Sequence, residues 1–261
     1  MDFFHTIILG IVEGITEFLP ISSTGHLILT SKLLRLPSTE FLKSFEIAIQ
    51  LGAILAVVAL YWKSFFVRFE VLKKVVVAFL PTAVLGLIFY KIIKQFLLEN
   101  EQVVLWSLFL GGIFLIIFEW KYGEKENAVD DVAKISWRQA IIIGFFQSIA
   151  MIPGVSRAAA TIVGGLLLGL KRKTIVEFSF LLAVPTMAAA TGLDLLKSGS
   201  NFSGREFGLL AVGFVLSFFT ALAAIKFFLN FIKNHSFIFF GAYRVILAIL
   251  WWVGALFLSR I

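Results

Sequence analysis

The sequence predicts an all-α polytopic membrane protein, from its composition, its long apolar segments and the proline-centred breaks in two of them. Of 261 residues, 60% are apolar and 15% are charged, and the mean hydropathy is +0.98. A soluble domain of this length cannot bury that much apolar surface. At roughly 20 residues per bilayer crossing, the apolar residues suffice for six to eight membrane segments.

The charge balance is basic, with 23 Lys and Arg against 16 Asp and Glu. In a membrane protein such an excess is typical of cytoplasmic loops near anionic headgroups, so we expect membrane lipids and no nucleic acid as partners. The chain has no cysteine, which excludes disulfides, thiolate metal sites and cysteine nucleophiles.

Apolar segments follow one another at about 7–31, 44–62, 75–93, 103–119, 139–170, 175–196, 207–232 and 237–258. The first and the fifth are interrupted by Pro20 and Pro153, within runs rich in Gly, Ser or Thr. Each of these two should form a helix, a break and a second helix. Lipid cannot satisfy freed peptide groups, so both breaks should face the protein interior.

The two interrupted segments are similar to each other. GIVEGITEFLPISSTGH at 10–26 and GFFQSIAMIPGVSRAAAT at 144–161 each have a Gly, a Glu or Gln three residues later, and a Pro-centred break. The chain is therefore predicted to be a single membrane domain, 1–261, with a first repeat at 1–120 and a second at 135–261. If each broken segment is re-entrant, each half crosses the membrane three times and the second half is inverted.

Orientation follows from the basic residues of the loops. The face that carries the loops at 63–74, 121–138, 171–173 and 226–233 is the richer in Lys and Arg. The positive-inside rule places this face in the cytoplasm and both termini outside.

Ionisable residues inside membrane segments are functional-site candidates by default. Glu13 and Glu17 lie four residues apart on one helical face, where they can share a cation, a proton or an arginine. The alternative is that both are neutral or paired for packing. Arg244, the one charge in the last span, is predicted to be either a second phosphate ligand or a structural partner of Glu46 or Glu177.

The first break predicts an anion site beside a nucleophile. A new helix should start at Ser22 or Ser23, with its free N–H groups directed at the break. His26 lies one turn after Ser23 and can exchange a proton with that hydroxyl. The alternative is a hydroxyl-rich cap followed by a histidine with structural hydrogen bonds.

The second break follows the same logic. Gly154 permits an unusual turn, Ser156 can cap the next helix, and Arg157 places a guanidinium beside its N–H groups. A planar, bidentate cation there suits phosphate oxygens, and the alternative is a salt bridge to a glutamate of the first segment. Thr161 lies four residues later on the same face.

Together the two breaks predict a phosphate pocket with an acid–base set. Ser23 would be the nucleophile, His26 its base and Arg157 the cation that stabilises the transferred phosphoryl group. Glu13 and Glu17 would bind a divalent cation or orient His26. A substrate with a phosphorylated head and a lipid tail fits such a pocket.

These motifs resemble the undecaprenyl-diphosphate phosphatase family, also called the bacitracin-resistance family. The resemblance lies in the Glu13/Glu17 pair, PISSTGH at 20–26 and PGVSRAAAT at 153–161, and it extends over nearly the whole chain. It implies hydrolysis of undecaprenyl diphosphate to undecaprenyl phosphate, which recycles the lipid carrier of cell-wall synthesis. It also implies a multi-pass plasma (inner) membrane enzyme that uses Mg²⁺ or Ca²⁺, with its site facing the outer side. A homodimer is compatible with the sequence.

By position, the family's acidic motif falls on Glu13 and Glu17, its Ser/His motif on Ser22, Ser23 and His26, and its second motif on Ser156, Arg157 and Thr161. The predicted catalytic residues are Ser23, His26, Glu17 and Arg157; the substrate-binding residues are Ser22, Thr24, Gly154, Ser156, Arg157, Thr161 and Arg244; the metal ligands are Glu13 and Glu17. Ser23 is the predicted nucleophile, with His26 and a metal-activated water left open. The family's PG-x-SRS motif has Ala158 here at its last position, so that hydroxyl is not catalytic in this chain.

Three other readings compete. Type-2 phosphatidic acid phosphatases also use S-G-H and S-R runs, but they need a further His downstream of S-R, and AAATIVGGLLLGL follows Arg157 here. A transporter or flippase of a phosphorylated polyprenyl lipid would use the same broken helices and Arg157 without the Ser23/His26 pair. A structural scaffold would have to explain ionisable residues clustered at two matched breaks.

Overall fold

A computed structural model describes residues 1–92, 100–124, 127–198 and 202–258 of the chain. The helices are α1 Phe3–Thr16, α2 Ser23–Leu33, α3 Glu40–Leu60, α4 Trp62–Phe66, α5 Phe69–Ile92, α6 Glu101–Lys121, α7 Trp137–Ile149, α8 Arg157–Leu167, α9 Arg172–Ser198, α10 Gly204–Phe231 and α11 Ile238–Leu258. The described parts contain no β-strand beyond one isolated bridge, Val129 with Leu170. The all-helical prediction is confirmed.

Within the described residues, six helices are long and apolar enough to cross a membrane: α3, α5, α6, α9, α10 and α11. Their outer surfaces expose large apolar side chains such as Leu87, Phe114 and Phe219, which suits contact with lipid tails rather than water. The six uninterrupted segments of the sequence correspond to these helices, although the predicted end of the third segment, at 93, lies outside the described residues.

Both interrupted segments form two short helices around a break. α1 ends at Thr16 and α2 begins at Ser23, while α7 ends at Ile149 and α8 begins at Arg157. At each break the N-cap is a serine whose side chain accepts a backbone N–H three residues later. The backbone runs into each second helix through a sharp turn because both caps have positive φ, 72° at Ser22 and 76° at Ser156.

The helices pack so that both breaks lie inside the bundle. The main contacting pairs are α1 with α10, α3 with α10, α6 with α11, α5 with α7, and α3 with α9. Close approach of α1 to α10 requires a residue without a side chain, since a Cβ at Gly10 would lie 2.9 Å from the carbonyl oxygen of Gly213. The largest apolar cluster surrounds the breaks and includes Phe18, Phe180 and Phe228.

Candidate active site

The two breaks meet at Glu17. Its Oε1 accepts a hydrogen bond from Arg157 Nη2 at 2.7 Å, and its Oε2 accepts the hydroxyl proton of Ser23. The Glu17 and Arg157 side chains are only 4% and 12% exposed. One carboxylate therefore joins the start of α2 to the start of α8. Ser23 and Arg157 lie close together in the structure, as the sequence predicted.

Arg157 keeps a donor free. Its Nη1 donates to the Ser179 carbonyl oxygen at 2.8 Å, whereas the buried Nε has no hydrogen-bond partner among the described residues. The guanidinium also lies 5.8 Å from the ring centroid of Phe18. A buried cation with an unused N–H is suited to an anionic ligand oxygen. Arg157 can therefore form the salt bridge to Glu17 and still bind a substrate oxygen through Nε.

The prediction that His26 accepts the Ser23 proton is wrong for this structure. His26 Nδ1 lies 2.8 Å from the Ser22 carbonyl oxygen and Nε2 lies 2.7 Å from the Tyr243 hydroxyl, so both ring nitrogens are used elsewhere. The turn that enters α2 directs the Ser23 hydroxyl back to Glu17 and the His26 ring forward to α11. Glu17 is therefore the group placed to act as base toward Ser23.

The caps expose two helix N-termini to the site. Ser22 Oγ accepts Gly25 N–H at 3.3 Å, and Ser156 Oγ accepts Ala159 N–H at 3.2 Å. Non-glycine residues at positive φ are strained, and such strain concentrates at ligand sites. Thr24 is half-buried in the first turn of α2. The first-turn N–H groups and their dipoles favour a negative charge between the helices.

Thr161 is fully buried and its hydroxyl is engaged inside the protein. It lies 2.7 Å from the Ser179 hydroxyl and donates to the Arg157 carbonyl oxygen at 2.9 Å. These contacts fasten α8 to α9 behind the guanidinium. Thr161 therefore supports Arg157 from behind, and its hydroxyl is not directed at a ligand. Ser179 is a site residue that the sequence did not single out.

Arg244 is the largest fully buried side chain, and it binds backbone rather than a carboxylate. Its guanidinium donates to the carbonyl oxygens of Pro20, Gly154, Val155, Ser107 and Leu108, at 2.9 to 3.4 Å. Helix breaks leave carbonyl groups without partners, and three of these five bonds satisfy break carbonyls, while the other two join Arg244 to Ser107 and Leu108 of α6. The predicted pairing with Glu46 or Glu177 is wrong, because Glu46 accepts from Ser31 and Glu177 lies near Lys173.

A separate charged cavity of about 630 Å³ lies at the other end of α3 and includes Tyr61, Arg68 and Glu177 in its lining. The hydrogen bond from Lys134, at 2.9 Å, lowers the pKa of Asp130 on its rim, while burial raises the pKa of Tyr61. The positive charges of the lysines and arginine that line this cavity are largely balanced by the negative charges of its aspartates and glutamate. It holds none of the residues of the two breaks.

Comparison with known proteins identifies the family of the chain. Residues 6–250 match the family described as Bacitracin resistance protein BacA. The chain belongs to the BacA family. A protein of Aquifex aeolicus named undecaprenyl-diphosphatase is 54% identical to it over 96% of this chain and 98% of the relative. Proteins of the same name from a Sulfurihydrogenibium species and from Wolinella succinogenes are 53% and 52% identical, over 97% and 96% of this chain.

Within the BacA family resemblance, the acidic motif implies a divalent cation, and Glu13 fits that expectation. Its carboxylate is fully buried and neither oxygen has a hydrogen-bond partner among the described residues. Carboxylate oxygens are the ligands that Mg²⁺ and Ca²⁺ prefer. Glu17 already serves Arg157 and Ser23, and no three acidic, His or Cys side chains converge within the described ranges. Glu13 is therefore the residue that would hold such an ion.

Proposed function

We propose that this protein hydrolyses undecaprenyl diphosphate to undecaprenyl phosphate and inorganic phosphate. The observation that carries the proposal is the shared Glu17 carboxylate, which contacts both the Ser23 hydroxyl and the Arg157 guanidinium. A nucleophile, its base and a phosphate-binding cation thus occupy one buried site. The relatives are named for this reaction, which favours the phosphatase over a transporter.

In the first step, Ser23 Oγ attacks the terminal phosphorus while its proton passes to Glu17. The bond from that phosphorus to the bridging oxygen breaks, so undecaprenyl phosphate leaves and a phosphoserine remains. Water then attacks the phosphoserine and gives its proton to His26 Nε2, which afterwards releases it to solvent. Glu17 returns the first proton to Ser23 Oγ, and inorganic phosphate is released.

Positive charge around the phosphoryl group lowers the barrier to both steps. The free Arg157 Nε and the N–H groups at the starts of α2 and α8 are fixed before substrate arrives, so little reorganisation is needed. Ser22, Thr24, Gly154 and Ser156 shape this cradle. A Mg²⁺ or Ca²⁺ ion held by Glu13 would neutralise diphosphate charge, while Glu17 keeps its contacts with Ser23 and Arg157.

The two halves, 1–120 and 135–261, are proposed to be inverted repeats with re-entrant breaks. Helix pairing supports this, since α1 packs on α10 as α7 packs on α5, and α3 packs on α10 as α9 packs on α5. The members of the pairs α6–α11 and α3–α9 are themselves repeat counterparts. An inverted pair of breaks reaches the membrane centre from opposite sides.

The protein is a multi-pass membrane protein, and we place it in the plasma (inner) membrane with its site opening outward. The basic loops near Lys63, Lys134 and Lys173 support a cytoplasmic position for the opposite face. There the enzyme would recycle the lipid carrier of cell-wall synthesis and confer resistance to bacitracin. The prenyl tail of the substrate would stay in lipid while its head enters the breaks.

The test is inorganic phosphate release from a long-chain prenyl diphosphate by protein purified in detergent, with and without a chelator. Release should require the divalent cation and should fall at least about 100-fold in Ser23→Ala and in Arg157→Ala. Ser31→Ala is the matched control, because the Ser31 hydroxyl also donates to a carboxylate, the half-buried Glu46, at 2.7 Å. No release by folded wild-type protein would overturn the proposal.

A further inference from the structure

Tyr243, in the last span, contacts His26, one of the predicted catalytic residues. Its hydroxyl lies 2.7 Å from His26 Nε2, and the two rings stack with centroids 5.5 Å apart and planes within 5°. His26 is 8% exposed, whereas Tyr243 is 43% exposed. The imidazole is therefore held on one side by a ring that belongs to α11.

The partners of the two ring nitrogens fix the tautomer of His26. The Ser22 carbonyl oxygen can only accept, so Nδ1 carries the proton and donates it at 2.8 Å. Nε2 of the neutral ring then has a lone pair, which accepts the Tyr243 hydroxyl proton. The nitrogen that can take up a proton during turnover is thus Nε2, and Tyr243 is its hydrogen-bond partner.

A phenol is suited to this place because its oxygen both donates and accepts. With neutral His26, the Tyr243 O–H donates to Nε2. After Nε2 gains a proton, rotation of the O–H lets the same oxygen accept from Nε2–H, with no movement of heavy atoms. Phenylalanine would leave Nε2 without a partner in both states.

We propose that Tyr243 is a positioning residue of the phosphatase reaction, which holds His26 in the Nδ1–H tautomer and partners Nε2 before and after proton uptake. The proposal rests on the function proposed above. Arg244, the next residue, binds carbonyl groups of both breaks and so fixes the depth of Tyr243 relative to α2. Hydrogen bonds that orient metal-ligating histidines change activity by roughly 10- to 100-fold, and we expect a loss in the same range for this hydrogen bond to His26.

A double-mutant cycle tests whether Tyr243 acts through His26. Tyr243→Phe keeps the stacked ring and should lower kcat about tenfold or more with KM unchanged. In a His26→Ala background the same substitution should change kcat less than twofold. The matched control is Tyr122→Phe, which removes a hydroxyl that donates to the Leu166 carbonyl oxygen at 2.8 Å, outside the site. Wild-type kcat in Tyr243→Phe, or equal losses in both backgrounds, would overturn the proposal.

A second measurement needs neither activity nor a stable Tyr243 variant. The chain has three histidines, so protein labelled with ¹⁵N at histidine gives a simple long-range ¹⁵N–¹H spectrum, in which His26→Ala identifies the His26 signals. The wild type should show His26 as the Nδ1–H tautomer, and an Nε2–H tautomer would contradict the proposal. If wild-type protein released no phosphate, the proposed function would fail while this spectrum still tested the Tyr243–His26 pair.

Discussion

Ser23 and His26 lie one turn apart on α2, yet they face different partners. The Ser23 hydroxyl donates to Glu17, while the His26 ring is bound by Ser22 and Tyr243. Spacing along a helix predicts which residues share a face, but a side chain at a helix start is oriented by the entering turn. Ser23 and His26 are therefore close along the chain, but their side chains point in different directions.

Glu17→Gln should abolish base catalysis while keeping nearly the same shape. We expect phosphate release to fall about 100-fold or more, since a neutral amide cannot take the Ser23 proton. Glu119→Gln is the matched control, because Glu119 is a buried carboxylate bonded twice to Arg172 at 2.8 Å, away from the breaks. It should lower the melting temperature and leave kcat unchanged. Wild-type turnover in Glu17→Gln would contradict the role of Glu17 as base.

Arg244→Lys decides between a structural and a substrate-binding role. Lysine keeps the charge but cannot reach carbonyl groups of both breaks, and each lost bond to a charged group costs about 1.5–3 kcal/mol. We expect a lower melting temperature in detergent and a lower kcat, with little change in KM. A raised KM at wild-type thermal stability would instead identify Arg244 as a substrate ligand.

The helix breaks are the elements on which the site depends. α8 begins where Gly154 has φ of +91° and where its backbone lies against α6, so that a Cβ would be 2.6 Å from the Val104 carbonyl oxygen. Only glycine combines this conformation with this proximity. The break thereby sets the position of the Arg157 guanidinium relative to Glu17.

Two glycine substitutions separate conformational strain from crowding. Gly154→Ala introduces both effects, and the expected loss of stability is about 1–2 kcal/mol from the positive φ and about 1–3 kcal/mol from the close contact. Gly169→Ala has φ of +79° but no atom within 4 Å of its Cβ, so it meets the strain alone. The melting temperature and the rate of phosphate release should both fall far more in Gly154→Ala than in Gly169→Ala. Equal effects in the two variants would show that the contact with α6 does not position α8.

The arrangement of the whole molecule follows from six spanning helices that enclose two pairs of short ones. α1 and α2 together are too apolar to lie in water, and each alone is too short to cross a bilayer of roughly 30 Å. The proposed re-entrant turn at Pro20, which returns the chain to its own side, would resolve both constraints. The same holds for α7 and α8 around Pro153.

Because the chain has no cysteine, single cysteines can report this topology without background. Phe3→Cys and Ser38→Cys flank the first broken segment, and a membrane-impermeant maleimide should label both from the same side of sealed vesicles. Lys63→Cys, beyond one full span, should be labelled only from the other side. Labelling of Phe3→Cys and Ser38→Cys from opposite sides would show that the first segment crosses the membrane.

The sequence by itself determined the class of protein, the spans and the two breaks, because hydropathy, proline and hydroxyl caps act over one or two helical turns. It also indicated Glu17 and Arg157, since charge inside an apolar segment is costly unless it has a partner, and it indicated Ser23, since this hydroxyl follows the break at Pro20. The tertiary structure decided which partner each charge has: Arg157 with Glu17, Arg244 with five carbonyl groups, His26 with Tyr243. Such pairings join residues 89 to 224 positions apart, and helix packing, which no local pattern encodes, brings them together.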